Sequence, residues 1–209
     1  PVVIRVPYGG GIGAVEHHSE SPEAYFAHTA GLRVVSPSNS NDAYWMIQQA
    51  IASNDPVMFF EPKRRYWQKG TVNLDAPPQP MHTARVLREG SQVTIACYGP
   101  MVTVALQAAE IAAEEGTSIE VIDIRSISPI DFTAIIESVK KTGRLVVASE
   151  ASNFVSVSGE IAARVSEQAF FHLEAPVLRV GGFDVPYPPA KLEEVFLPDA
   201  DRILEAVDR

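Results

Sequence analysis

Short apolar runs alternate with segments of helical periodicity in the first 61 residues. The runs predict strands at residues 2–6, 32–35 and 57–60. Ser21 and Pro22 predict the cap and first turn of a helix that ends at Gly31, and apolar spacing predicts a second helix over residues 42–53. This βαβαβ order predicts a mainly parallel sheet.

The second part of the chain repeats this alternation. Apolar runs predict strands at residues 92–98, 118–124, 145–149 and 177–180. Helical periodicity predicts helices over residues 102–115, 132–141 and 159–173, and another from about 199 to the end. Gly116 and Gly143 follow the first two helices, where a left-handed residue commonly ends a helix. A second α/β unit is therefore expected.

Residues 62–81 fit neither pattern. They contain Gly70 and three prolines close together, which is typical of a linker. The basic triplet Lys63-Arg64-Arg65 lies within this segment. A solvated loop is the simpler interpretation of three adjacent charges, and contact with an anionic ligand is the alternative.

Composition narrows the class of protein. A hydrophobic content of 46% in 209 residues excludes a disordered or fibrous chain. No apolar run approaches the roughly 20 residues that span a bilayer, so we expect no membrane association and a cytoplasmic location. Cys97, the single cysteine, lies in an apolar run, where we expect a buried small side chain and not a nucleophile.

The net charge of −9 is concentrated in the second part of the chain. Residues 81–209 carry 19 acidic and 11 basic residues, which argues against a nucleic-acid partner and favours a basic protein partner. The expected acidic surface near the C-terminus comprises Asp184, Glu193, Glu194, Asp199, Asp201, Glu205 and Asp208.

Four glycines, at positions 9, 10, 11 and 13, precede two adjacent histidines. Glycine is costly to order, so these residues predict a loop with positive φ or close approach of a ligand. His17 and His18 belong to the residue type that exchanges protons near neutral pH, and only one of two adjacent side chains would face a site. From the residues alone, a proton-transfer site and a hydrogen-bonded surface pair remain equally good interpretations.

Two further interpretations of this segment are weaker. A dinucleotide-binding loop would use Gly9, Gly11 and Ala14, but the helix signals come only at Ser21, too late to hold a pyrophosphate. A metal site would use neighbouring residues that cannot all converge on one ion, namely Glu16, His17, His18 and Glu20.

Ordered blocks over nearly the whole chain resemble one protein family. They include HSESPEAYFAH at residues 18–28, FFEPK at 59–63, VIDIRSISPID at 121–131 and RVGGFDVPYP at 179–188. These blocks resemble the β subunit of the thiamine-diphosphate-dependent decarboxylating component of 2-oxo acid dehydrogenase complexes.

The resemblance implies an α/β fold in two domains. Residues 1–61 would be the C-terminal part of the pyrimidine-binding domain for thiamine diphosphate, residues 62–81 a linker, and residues 82–209 a transketolase C-terminal-like domain of three layers, α/β/α. Because the chain begins directly with a strand pattern, we expect it to be a fragment that lacks the start of the first domain. The location would be the mitochondrial matrix in a eukaryote.

The resemblance also implies cofactors and partners. Thiamine diphosphate and Mg²⁺ would be shared with an α subunit in an α2β2 heterotetramer that includes a β–β contact. No cofactor-binding residue is expected in this chain, because the family's activating glutamate would precede Pro1 and the phosphate motif belongs to the α subunit. A lipoyl-bearing acyltransferase would be a further partner, docking on the acidic C-terminal surface.

Within the family, oxidative decarboxylation of a 2-oxo acid is followed by acyl transfer to a lipoyl group. The family's active-site histidine matches His18, which would donate a proton or hydrogen bond during this transfer. Branched-chain substrates such as 3-methyl-2-oxobutanoate are favoured. Pyruvate or acetoin is the alternative, and a non-catalytic fragment that acts as an interaction module is another.

A K⁺ site in the family uses mainly backbone carbonyls. The expected ligands of the cation are Val2, Ala50, Ile51, Ser53 and Asp55. Ser53 and Asp55 differ from the residues that relatives commonly have at these positions.

A separate departure from the family lies at residues 154–158, where relatives usually have a Gly-Gly pair.

Overall fold

Two sheets organise the chain in the computed structural model, which describes all 209 residues. The strands are β1 (Val3–Tyr8), β2 (Arg33–Val35), β3 (Val57–Pro62), β4 (Arg85–Arg88), β5 (Val93–Cys97), β6 (Ile119–Asp123), β7 (Ser126–Ser128), β8 (Leu145–Ser152) and β9 (Leu178–Gly182). The helices are α1 (Glu23–Ala27), α2 (Ser40–Ala52), α3 (Met101–Glu114), α4 (Phe132–Thr142), α5 (Val157–Gln168), α6 (Glu193–Phe196) and α7 (Ala200–Asp208).

The first sheet has the order β1-β3-β2-β7 and is parallel except for β7, which runs antiparallel to β2. The second has the order β4-β6-β5-β8-β9 and is parallel except for β4. Helices cover both faces of the second sheet, because buried residues of α3 and α7 form one core cluster and those of α4 and α5 contribute to another. The expected fold class, two α/β units with three layers in the second, is confirmed.

Two strands escaped the sequence analysis. The strand β7 has a single apolar residue, and β4 is a short sheet-edge strand with two arginines, so neither forms an apolar run. The strand β7 follows β6 in the chain and yet completes the first sheet, where Val34 pairs with Ser128. The first half of the chain (residues 1–61) and the second half (residues 82–209) are therefore interlocked through a shared sheet.

The first half also corrects two local predictions. The helix α1 begins after Pro22 without a side-chain cap, so Ser21 is not its cap, and it ends four residues before Gly31. The strand β1 lies at the edge of its sheet, and the side chain of Ile4 within it is about half exposed (46%).

The segment 62–81 packs along α2. The indole of Trp45 donates a hydrogen bond to the carbonyl of Asn73, and the side chain of Gln49 accepts one from the amide of Met81, which is buried. The segment is therefore attached to the first half over much of its length.

Every helix of the chain lacks the combination of length and apolar character that a membrane span requires.

Candidate functional site

The glycine loop lies at the carboxyl end of β1. Gly9, Gly11 and Gly13 have φ of +89°, +88° and +67°, in the left-handed region that disfavours other residues, as expected from the sequence. A 3₁₀ turn over Val15–His17 follows, and Val15 itself has φ +52°, which is strained for a β-branched residue. No long helix begins inside the glycines, so the dinucleotide-binding interpretation is excluded.

His17 and His18 follow this loop. His17 is exposed and His18 is half-buried, and their ring centroids lie 4.7 Å apart at 65°. Partial burial, and then the charges of Lys63 and His17, lower the pKa of the His18 imidazole. Lys63 directly follows β3, the parallel neighbour of β1, so the carboxyl ends of the two strands bring these groups together. His18 is therefore largely neutral at neutral pH.

Two carboxylates from the second half hold the loop. The amide of Gly10 donates a hydrogen bond to Glu150 Oε2 (3.0 Å), and the amide of Gly13 donates to Glu193 Oε2 (2.8 Å). Glu150 lies on β8 and Glu193 on α6, and both are buried. The site thus combines a loop from the first half with anchors from the second.

The basic triplet lies beside the junction of the two halves, the region where the glycine loop meets Glu150 of β8 and Glu193 of α6. Arg64 forms an ion pair with Glu150, and both Arg64 and Arg65 donate hydrogen bonds to the carbonyl of Pro100 (3.3 and 3.1 Å). Burial raises the pKa of Glu150, and Arg64 opposes this rise. The interpretation of the triplet as a solvated loop was therefore wrong for Arg64 and Arg65, because their guanidinium groups bridge the two halves.

A second buried carboxyl lies in the same junction. Glu23 is fully buried, and its Oε1 accepts a hydrogen bond from the hydroxyl of Tyr98 (2.6 Å). Burial raises the pKa of Glu23 to about 7, although the Tyr98 hydrogen bond lowers it. Nearby, the hydroxyls of Tyr8 and Ser36 lie 2.8 Å apart in the shared core. Other buried polar atoms in the region have no hydrogen-bond partner, among them Glu23 Oε2 and the hydroxyls of Ser19 and Ser149.

The residues of the proposed cation site have other contacts. The carbonyl of Val2 accepts from the amide of Val57 (2.9 Å), that of Ala50 from the amide of Ser53 (3.2 Å), and Asp55 accepts from Arg33 (2.5 Å). A carbonyl oxygen has two lone pairs, so the site, with Ile51 and Ser53 as its remaining members, stays a prediction.

Other candidate groups are resolved more clearly. No three His, Cys, Asp or Glu side chains come together in a way that could hold a metal ion. The prediction for Cys97 is confirmed, since its side chain is fully buried and burial raises the pKa of its thiol well above the usual value.

The residues present do not compose a complete site for thiamine diphosphate. Its aminopyrimidine would need a free carboxylate, but Glu150 faces Gly10 and Arg64 of this same chain, and Glu23 is fully buried with Oε1 held by Tyr98, although its Oε2 has no hydrogen-bond partner. Its diphosphate would need a metal site of the kind that the side chains here do not form.

Glu150 is a site residue that the sequence patterns do not predict, and Glu193 is predicted on the acidic surface. That placement was wrong, because only 6% of Glu193 is exposed and its carboxylate faces the glycine loop. One signal was present in the sequence: a loop of four glycines carries amides that need acceptors when they are buried.

Two family models match the chain in sequence order. The model of the transketolase pyrimidine-binding domain matches residues 1–68, and that of the transketolase C-terminal domain matches residues 82–203. The chain belongs to the transketolase C-terminal domain family. The glycine loop and His18 lie in the first matched range, and Glu150 and Glu193 lie in the second.

Curated relatives of this family match the chain over its whole length. It is 66% identical to a protein of Leifsonia xyli subsp. xyli named "Pyruvate dehydrogenase E1 component subunit beta", covering 62% of that relative. It is 50% identical to "3-methyl-2-oxobutanoate dehydrogenase subunit beta" of Mycobacterium tuberculosis, and 41% identical to "2-oxoisovalerate dehydrogenase subunit beta" of Bacillus subtilis. In these two comparisons 100% and 99% of the chain align with 60% and 64% of the relative. The chain thus spans about three fifths of the length of these relatives.

A solved structure supports the same fold. The chain superposes on "Split gene transketolase, inactive beta4 tetramer" with a TM-score of 0.78 and 26% identity, covering 99% of this chain and 64% of that one.

Proposed function

We propose that these residues act within the β subunit of a 2-oxo acid dehydrogenase, in the step that transfers an acyl group to a lipoyl disulfide. The similarity to named β subunits of such enzymes supports the reaction class. The observation that carries the role of this chain is His18, half-buried beside Lys63 at the carboxyl ends of two parallel strands. Ligands in open α/β sheets bind at this edge.

The chemistry asked of His18 is a proton transfer. The carbon that decarboxylation leaves at the carbanion level supplies the electron pair of the new C–S bond to one sulfur of the disulfide, so the S–S bond breaks and the other sulfur leaves as a thiolate that needs a proton. An imidazolium beside the departing sulfur can supply it. The lowered pKa of His18 makes its protonated form a stronger acid, although a smaller fraction is protonated at neutral pH.

Thiamine diphosphate and Mg²⁺ supply the decarboxylation chemistry in this proposal, bound with an α subunit in an α2β2 heterotetramer. Glu23 and Glu150 of this chain are enclosed, which supports the proposal that the cofactor is bound together with an α subunit. A β–β contact is proposed as well, and the related split-gene transketolase is named as a β4 tetramer. Calorimetry on the 209-residue chain alone should detect no tight, Mg²⁺-dependent binding of the cofactor, and such binding would refute the division.

Two substrate classes remain as candidates. The motifs of the sequence favour branched-chain 2-oxo acids, and two of the relatives carry branched-chain names. The 66% identity to a relative named for pyruvate favours pyruvate. The ratio of kcat/KM for 3-methyl-2-oxobutanoate and pyruvate, measured with the full-length β subunit and its α subunit, decides between them.

His18→Ala tests the proposed function, with His17→Ala as the matched control. In the assembled enzyme, His18→Ala should slow acylation of a free lipoyl domain about 100-fold or more, the usual contribution of a general acid. Decarboxylation coupled to an artificial electron acceptor should change much less, because no lipoyl sulfur needs a proton there. The exposed neighbour His17 should tolerate alanine. Unchanged acylation in His18→Ala would refute the role, and an assembled enzyme without any decarboxylation would favour the interaction module.

A further inference from the structure

The imidazole of His18 depends on the loop backbone for its position. No side chain or backbone group of the chain forms a hydrogen bond to its ring, and its amide donates only to the nearby carbonyl of Val15. Whatever fixes the loop from Gly9 to Gly13 therefore also fixes where His18 is presented.

Glu193 contacts this loop at the end nearer His18. One carboxylate oxygen, Oε2, accepts the amide of Gly13 (2.8 Å), and the other, Oε1, accepts the hydroxyl of Tyr187 (2.5 Å). Both oxygens are thus engaged by donors on opposite sides. Such a carboxylate is fixed in place and can act as a rigid acceptor for the loop.

The segment around Glu193 encloses the loop sterically. A Cβ added at Gly10 would overlap the Tyr187 hydroxyl and lie 2.5 Å from Leu197, and a Cβ at Gly13 would lie 3.1 Å from Ala190. The loop backbone at Gly10 therefore fits against residues 187–197 with no room for a side chain, and Gly13 lies close to the same segment. The close approach explains the glycine at position 10, and the positive φ of Gly13 adds to it at position 13.

Glu193 is ionised at neutral pH despite its burial. Burial acts to raise the pKa of this carboxyl, but the hydrogen bond from Tyr187 lowers it, and the amides of Gly13 and Gly11 and the hydroxyl of Ser19 lower it further. The net shift is downward. A charged acceptor forms stronger hydrogen bonds to backbone amides than a neutral one.

We propose that Glu193 is a positioning residue for His18, and that its carboxylate, backed by Tyr187, fixes the Gly13 end of the loop. This inference rests on the function proposed for His18 and deepens it by assigning a role to a residue of the second half. Glu193 touches no reacting atom in this role. It acts through the backbone that carries the imidazole.

The test compares Glu193→Ala with Glu167→Ala in the full-length β subunit assembled with its α subunit. Glu167 is an exposed carboxylate on α5, outside the glycine loop and the acidic C-terminal surface, so it controls for loss of charge. Glu193→Ala should slow acylation of a free lipoyl domain about 10- to 100-fold, the cost of displacing a catalytic group by about 1 Å. Decarboxylation with an artificial acceptor should fall much less. Glu193→Gln should restore part of the acylation rate, because its amide oxygen can still accept the Gly13 amide.

A second measurement is independent of activity. Hydrogen–deuterium exchange of the amides at residues 9–19 should rise in Glu193→Ala and stay unchanged in Glu167→Ala. If Glu193→Ala does not assemble, Glu193→Gln and Tyr187→Phe should show smaller changes in the same direction. Equal acylation rates in the Glu193 and Glu167 variants, or unchanged exchange in the loop, overturn the positioning role. If exchange rises but His18→Ala itself acylates normally, the function proposed for His18 fails while the hold of Glu193 on the loop stands.

Discussion

The two sheets differ in how completely they are covered. The five-stranded sheet lies between α3 and α7 on one face and α4 and α5 on the other. One face of the four-stranded sheet packs against α2 in a cluster of only six buried residues. Its other face packs in a 17-residue cluster that includes residues of the second half. The first half, which carries the glycine loop, therefore depends on the second for its stability as well as for the anchors of the loop.

The largest expected effect tests this dependence in the shared core. Phe60 is fully buried and packs edge-on against Tyr8 and Phe26, with centroids 5.1 and 5.6 Å away. Phe60→Ala should lower the free energy of unfolding by about 3–5 kcal/mol, and both halves should unfold in one transition. Ile51→Ala, at a side chain that is 67% exposed, should cost at most about 0.5 kcal/mol. Urea unfolding with regional hydrogen exchange measures both, and protection of β5 that survives loss of β3 would contradict the dependence.

The next effect concerns pH at the junction. Glu23 meets Tyr98 of the second half, and Asp123 accepts a hydrogen bond from Ser38 of the first. Burial raises the pKa of both carboxyls to about 7, and for Asp123 the nearby Asp42 adds to the rise. The folded state therefore binds protons more tightly than the unfolded state, so stability should fall as pH rises from about 4.5 to about 7 and then level off.

Glu23→Gln should remove part of that slope. The variant should gain on the order of 2 kcal/mol relative to the parent chain between pH 5 and pH 8, since each pKa unit corresponds to about 1.4 kcal/mol. Glu137→Gln, at an exposed site on α4, is the control. Identical pH profiles for Glu23→Gln and the parent chain would show that the junction does not titrate in this window.

Local features should behave alike in the two halves. Asn39 caps α2 by accepting from the amide of Asp42 (2.9 Å), and Asp131 caps α4 by accepting from the amide of Ala134 (3.2 Å). Each change to alanine should cost about 1 kcal/mol in thermal unfolding. Asp131 should cost somewhat more, because it also accepts from the amide of Ala84 (3.0 Å). If one of the two changes had no cost, the helix that it uncaps would be held by packing alone.

The smallest effect concerns the outer surface of the second half, where acyltransferase docking is proposed. Glu193 is buried and cannot serve there, but Asp201 and Asp208 on α7 are exposed. Reversing both to lysine should slow association at low salt and leave dissociation nearly unchanged, because exposed charges act mainly on the encounter. Reversal of Glu137 and Glu167, on helices that cover the opposite face, is the control. If association responds to neither reversal nor to salt, the docking surface lies elsewhere.

Sequence reasoning succeeded where the signal is local. The helix α4 shows apolar periodicity and is followed by Gly143, which is left-handed in the structure, so its bounds were predicted to within a residue. It failed where the signal depends on distant partners. The strand β7 is strand-like only because Val34, more than 90 residues earlier, pairs with it. Glu193 resembles its acidic neighbours until the fold brings Gly13 and Tyr187 to it.

The interlocking of β7 with the first sheet limits how the chain can be recombined. Residues 62–81 look like a natural junction for chimaeras between relatives, since the pyrimidine-domain match ends at residue 68 and the next match begins at residue 82. A crossover there would pair β2 from one parent with β7 from the other. The compatibility of such a hybrid would be decided at Val34 and Ser128, far from the point where the two genes are joined.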